Sequence, residues 1–255
     1  MSQVLYYKAS SFYSSIVRLV IAEKGITDIE YRLVDLDNQQ NLSPEYIAIN
    51  PKGQVPTFVV DGQSITESLD ISMWLESHYP SPSLLPGETS ARSRVIADLT
   101  ELHEVRFFAL MFGISTQEQV AKERESKESI IKANIEAVER QMKKHPELRE
   151  QYEKRLETYH SKTDGVLEPT VVQENWKKLR NILDKFEENL GYGKFLSQEN
   201  DYSLLDAHAT VLLARLIKFG KEEDIQTRPR LSEYWSRAQQ RDSFKKVYDR
   251  PINMW

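Results

Sequence analysis

The spacing of apolar residues changes near residue 80. Before it, short apolar runs are separated by glycine, proline and polar clusters; beyond residue 90, apolar positions recur at helical intervals. Residues 4–7 predict a strand, and residues 8–13 are polar and small enough for a loop. Ser14 and Ser15 offer an N-cap to a helix in which Ile16, Val17, Leu19, Val20, Ile21 and Ala22 are apolar almost all round. Such a helix is expected to be buried on most faces and to end at Gly25. Residues 29–36 alternate partly and predict a second strand. Residues 42–49 predict a short helix with Ser43 as cap and Pro44 in its first position. Two β-rich runs, 57–60 and 64–66, flank Asp61-Gly62, a two-residue hairpin signal. Leu69, Ile71, Trp74, Leu75 and His78 then lie on one face of a helix.

The proline-rich residues 80–87 read as a linker. This divides the chain into residues 1–80, a linker 81–89, and an all-helical segment 90–255. In the latter, Val95, Leu99, Leu102, Val105, Ala109 and Phe112 form one continuous helical stripe. Residues 116–170 are charged yet periodic, and Pro146 splits them into two helices, one carrying Ile131, Ile135, Val138 and Met142, the other Leu148, Tyr152, Leu156 and Tyr159. Their charges read as solvated faces. Trp176 to Leu190 gives another helix. Ser203 and Asp206 form a capping box ahead of an apolar helix reaching Leu216, and further helices run from Leu231 to about Tyr248.

Composition narrows the function classes. A net charge of −5 and the lack of a dense Lys/Arg block argue against a nucleic-acid partner. No apolar run approaches membrane-spanning length and the start has no secretory pattern, so a soluble, cytoplasmic protein with no membrane partner is expected. The chain has no cysteine, which excludes disulfides, thiolate metal sites and any enzyme thiol joined covalently to a substrate. The five histidines show no metal-ligand spacing, and no metal is expected.

Residues 50–68, NPKGQVPTFVVDGQSITES, are the most informative stretch. Pro51 and Pro56 stiffen the backbone around Gly53, while Glu67 and Ser68 stand at a helix start, where unpaired amides and the helix dipole favour a carboxylate. The string resembles the glutathione-site signature of the glutathione S-transferase superfamily, and the Ser203–Asp206 capping box extends the resemblance to the helical part. Longer members are similar: the ganglioside-induced-differentiation-associated protein through residues 14–24, the lignin β-etherases through NPKGQVP and Thr66, Glu67 and Ser68, and the tetrachlorohydroquinone dehalogenases through the charged insertion. The implied fold is an α/β thioredoxin-like N-terminal domain followed by an all-α helical bundle with an inserted charged helical pair.

The resemblance implies roles for particular residues. A cis-proline at Pro56 exposes the amide and carbonyl of Val55 to the cysteinyl unit of glutathione, while Glu67 and Ser68 hold its γ-glutamyl end. Asn41 and Gln54 are candidates for the glycyl carboxylate. Ser11 stands where Ser-type classes keep the hydroxyl that stabilises the thiolate, Ser14 where β-etherases have theirs, and Tyr7 where tyrosine-type classes have theirs. Tyr13 replaces the dehalogenase cysteine, which argues against reductive dehalogenation and against omega-like reductases. With Tyr13, the Val105, Phe108 and Phe112 face could wall an apolar electrophile. His103 and His208 read as packing residues with no assigned role. The implied activity is transfer of glutathione to an electrophilic apolar small molecule by a homodimer. Aryl-ether cleavage, lyase or isomerase chemistry on the same site, and a glutathione-binding scaffold with little catalysis, are the alternatives.

Overall fold

The computed structural model describes residues 2–249. Within them the chain forms four strands and twelve α-helices, divided between two compact units.

One unit gathers the chain up to Leu33, then Val55–Glu104, then the chain from Arg180 onward. Its sheet has the order β2-β1-β3-β4 for strands β1 (Gln3–Tyr7), β2 (Glu30–Leu33), β3 (Thr57–Val60) and β4 (Gln63–Ile65). β1 pairs parallel with β2 and antiparallel with β3, which pairs antiparallel with β4. This is the mixed sheet of a thioredoxin-like domain. Leu5 faces Phe58 across the β1–β3 ladder, and both are fully buried. Asp61 and Gly62, with φ of 46° and 85°, make the left-handed turn between β3 and β4.

The first helix, α1 (Phe12–Glu23), begins earlier than its serines suggested. Ser14 and Ser15 do not cap it; Ser11 does, its side chain accepting from the Ser14 N–H at 3.3 Å. Phe12 explains the shift, since its ring is only 5% exposed and belongs to the core. Gly25, with φ of +64°, closes the helix as its N–H reaches the Ala22 carbonyl. α1 packs against α3 (Ser68–His78), α9 (Leu204–Lys218) and α12 (Asp242–Val247). α9 is buried along nearly its whole length, as its apolar sequence required, and both bonds of its capping box are formed. A buried ion pair, Lys24 to Glu76 at 2.6 Å, adds a polar tie, and the Glu76 carboxylate also accepts from the amides of Leu84 and Leu85.

The second unit comprises Val34–Gln54 and Val105–Leu179. It holds α2 (Pro44–Ile49), α5 (Phe107–Phe112), α6 (Gln117–Lys144), α7 (Arg149–Thr163) and the start of α8 (Pro169–Asn189). Leu42, Ile47, Ala137, Val138 and Tyr152 form one core cluster, and the Tyr152 hydroxyl donates to the Leu42 carbonyl at 2.9 Å. The expected continuous stripe from Val95 to Phe112 is two helices: α4 (Thr89–His103) ends and α5 begins after a turn that contains Val105. Arg106 stabilises the new start. Its amide donates to Asn175 Oδ1 at 3.0 Å, and its guanidinium donates to the carbonyls of Ser161 and Asp164. The chain from Leu231 to Tyr248 likewise divides into α11 (Pro229–Ala238) and α12, preceded by the short α10 (Glu223–Gln226), which the apolar pattern did not signal. Among the described residues no helix is long and apolar enough to cross a membrane.

Candidate active site

The candidate residues of the first unit lie at the N-terminal ends of α1 and α3 and at the entry to β3. Ser11 is the N-cap of α1 and partly exposed. Its oxygen accepts from Ser14 N–H, which uses one lone pair and leaves the hydroxyl hydrogen free to donate to an anion. Ser14 is sealed in the core at 0% exposure, and its oxygen accepts from the Lys8 amide at 3.4 Å. Two hydroxyls three residues apart therefore differ in access. Tyr7 packs edge-on against Tyr31 with Arg18 over its ring, in a cavity of about 300 Å³ also lined by Ile21 and Gly25.

The Val55–Pro56 peptide is cis, and Val55 precedes the β1–β3 register, which ends at Thr57. Glu67 occupies the N-cap position of α3 without a side-chain capping bond and is exposed, whereas Ser68 is buried as its first residue. Tyr13 feels Glu67: burial first, and then that carboxylate, push its phenol up to about 12, so it stays protonated at neutral pH.

Behind the start of α3 lies a polar chain that sequence reasoning treated as packing. Ser72 Oγ donates to the Ser68 carbonyl at 2.7 Å and meets His208 Nε2 at 3.1 Å. His208 Nδ1 meets His103 Nε2 at 2.8 Å. Burial lowers the pKa of both histidines; Glu67 and Asp70 pull His103 the other way without reversing it. Two neutral imidazoles can share this contact, one donating and one accepting. The only sequence signal was a histidine on an otherwise apolar helix face.

In the second unit the loop before Val55 is held by side chains. Asn50 is fully buried; its Oδ1 accepts from the Lys52 amide at 3.0 Å and its Nδ2 donates to the Gln54 carbonyl at 3.0 Å. Tyr46 donates to the same carbonyl at 2.5 Å. Asn41, expected at a carboxylate, is buried and donates its amide to the Gly53 carbonyl at 2.8 Å. Arg155 of α7 donates to the Lys52 carbonyl at 3.1 Å. Asn50, Tyr46 and Arg155 were missed as shapers of this loop, because each acts on main-chain carbonyls rather than through a motif. Of the apolar wall, Val105 is buried at 2% exposure. Phe108 packs on the Ala109, Val166 and Val172 cluster, and Phe112 is 49% exposed with its ring 4.9 Å from that of Phe108.

Residues 5–83 match the N-terminal domain of the glutathione S-transferases. Glutathione S-transferase TCHQD of Arabidopsis thaliana is 27% identical, over 98% of this chain and 91% of its own length. The tetrachloro-p-hydroquinone reductive dehalogenase of Sphingobium chlorophenolicum is 26% identical, over 94% of this chain and 93% of its own. In fold, the chain is similar to β-etherase LigF from Sphingobium sp. strain SYK-6, with a TM-score of 0.71 at 23% identity, covering 98% of this chain and 99% of that one. Residues 5–83, which contain the cis-proline hairpin, thus belong to the glutathione S-transferase N-terminal domain family, and the chain is similar to glutathione S-transferase relatives along nearly its whole length.

Proposed function

We propose that the protein is a glutathione-dependent transferase that binds glutathione through residues 1–80, stabilises its thiolate with Ser11 and adds it to an apolar electrophile. The observation that carries the serine assignment is the contrast in access. Ser11 is partly exposed at the positive end of a 12-residue helix with its O–H unused, while Ser14 is buried. A free alkyl thiol is only a few per cent ionised at neutral pH. Lowering its pKa by about two units stabilises the anion by roughly 2.7 kcal/mol, within reach of one hydroxyl donor at a helix N-terminus.

In this reading the amide and carbonyl of Val55 pair with the cysteinyl unit before Pro56. The Glu67 carboxylate receives the γ-glutamyl ammonium, and Ser68, with the open amides of α3, receives its carboxylate. Asn41 and Gln54 shape the glycyl end. Tyr13, kept protonated, can donate but cannot act as a base. Phe108 and Phe112 offer the electrophile an aromatic surface, with Val105 as its buried support. The dehalogenase relative is named for a reduction; a chain without cysteine has no enzyme thiol to supply electrons by forming a mixed disulfide with glutathione, so conjugation is the reaction proposed. We place this activity in a cytoplasmic homodimer engaged in detoxification.

The test combines calorimetry with glutathione, the ultraviolet absorbance of bound thiolate, and turnover of a chloronitrobenzene and an aryl ether. Ser11→Ala is expected to abolish the thiolate signal at neutral pH and to lower kcat/KM by roughly 100-fold, as loss of one anion-stabilising donor does. A signal that survives in Ser11→Ala and vanishes in Ser14→Ala or Tyr7→Phe would move the role. Ether cleavage without conjugation would change the reaction, and no heat with millimolar glutathione would leave a scaffold.

A further inference from the structure

Arg215 stands in the last turn of α9 and is half-buried. Its Nη2 donates to the Ser10 carbonyl at 2.9 Å, and its guanidinium carbon lies 5.8 Å from the centre of the Phe12 ring. Ser11 is the residue between these two. One side chain of α9 therefore holds both chain neighbours of the hydroxyl assigned to the thiolate, the first by a charged hydrogen bond and the second by its ring face.

The guanidinium has no other evident employment. Burial pulls its pKa down, and the group acting on it electrostatically is the Tyr248 phenol rather than a carboxylate. Arginine keeps its charge at neutral pH all the same. The gap it lines with Ala9, Ser15 and Lys218 measures about 10 Å³, room for one water at most. Arg215 thus grips chain and not a ligand of its own.

The segment it grips needs a hold. Ser11 N–H donates to the Lys8 carbonyl at 3.0 Å, and Ser15 N–H donates to the Ser11 carbonyl at 2.9 Å. The bond that the Ser11 hydroxyl oxygen accepts from Ser14 N–H is long at 3.3 Å. The direction of that hydroxyl therefore depends on how firmly the backbone on either side is fixed. An error of about 1 Å in aim can cost roughly 100-fold in rate.

We infer that Arg215 is a positioning residue for the transfer reaction: it clamps Ser10 and Phe12 and so aims the Ser11 hydroxyl at the thiolate. This rests on the Ser11 reading above and deepens it.

The test is a double-mutant cycle on the full chain, reading the absorbance of bound thiolate against pH together with kcat and KM. Arg215→Met keeps the aliphatic stem and loses donor and charge. It is expected to raise the midpoint of the thiolate titration by about one pH unit and to lower kcat roughly 10- to 100-fold, with KM for glutathione within about threefold. Placed on Ser11→Ala, the same change should cost less than about twofold in kcat, because the hydroxyl it aims is gone. Arg215→Lys, which keeps the charge and one donor, should recover part of the loss. An equal loss on both backgrounds means that the cation acts directly on the anion, and it overturns the positioning role. An unchanged midpoint and kcat in Arg215→Met overturn it as well. A thiolate signal that survives in Ser11→Ala overturns the Ser11 reading itself, and this inference with it. If Arg215→Met does not fold, Arg215→Lys takes its place in the cycle with the same pattern and a smaller loss. Side-chain NMR of the wild-type protein needs no substitution: slow rotation of the Arg215 guanidinium is expected, and free rotation overturns the clamp.

Discussion

Asp206 in α9 is a charged side chain drawn fully out of water and Arg155 in α7 one drawn partly out of it, and the chain treats them in opposite ways. Asp206 is 0% exposed, and its carboxylate accepts from the Leu196 amide at 2.9 Å, the Ser203 amide at 2.9 Å and the Ser203 hydroxyl at 2.5 Å. Burial still raises its pKa, but every neighbouring donor is met. Arg155 has a carbonyl, an aromatic face and an orphan Nε. The first arrangement is finished by the chain itself and serves folding. The second is unfinished: Nε lies against the left-handed Gly53 with no acceptor among the described residues.

The sharpest way to break this contrast is to remove the finished member. Asp206→Ala leaves two amides and a hydroxyl unsatisfied in the core, and should lower unfolding free energy by about 4 kcal/mol in chemical denaturation. A loss under about 1 kcal/mol would show that the network is ornamental. Next is Gly53→Ala, which puts a methyl at positive φ and into the Arg155 side chain. A cost of about 2 kcal/mol is expected, with glutathione affinity falling too; wild-type stability would mean that the loop and α7 adjust freely. Arg155→Met is the counterpart of the first change. Without ligand it should stay within about 1 kcal/mol of wild type, since the charge it removes was uncompensated, and a loss comparable to that of Asp206→Ala would erase the distinction.

The smallest effect concerns pH. His103 and His208 have folded-state pKa values below the unfolded value of about 6.5. The unfolded chain therefore binds more protons in that window, so their contribution is complete above about pH 6.5 and declines as pH falls below it. Thermal midpoints should drop between pH 7.5 and pH 5.5, and a flatter profile is expected for His208→Asn. A midpoint that rises on acidification would contradict the neutral pair.

Much of the first unit was legible in its sequence because its signals are local. Alternation, Asp61-Gly62, Pro56 and the Ser203–Asp206 box each act within a few residues. Where the reading slipped, distant groups decided. Four serines crowd the start of α1, and only the burial of Phe12 selects Ser11 as cap. Nothing between Leu102 and Phe107 is a glycine or proline, yet the helix breaks there, with Arg106 reaching carbonyls 55 and 58 residues away. Arg155 was hidden among surface charges; i,i+4 pairs such as Lys122 with Glu118 and Arg149 with Glu153 do line exposed faces, and the chain carries no mark separating it from them.

The Tyr152 bond to the Leu42 carbonyl has a practical corollary for anyone shortening this protein. Excising the hairpin to make a minimal enzyme would strip the cover from Leu42 and Ile47 and release the 52–54 loop, although every letter of the 50–68 signature survived. Such a truncation should yield a protein that looks competent in an alignment and fails at the bench.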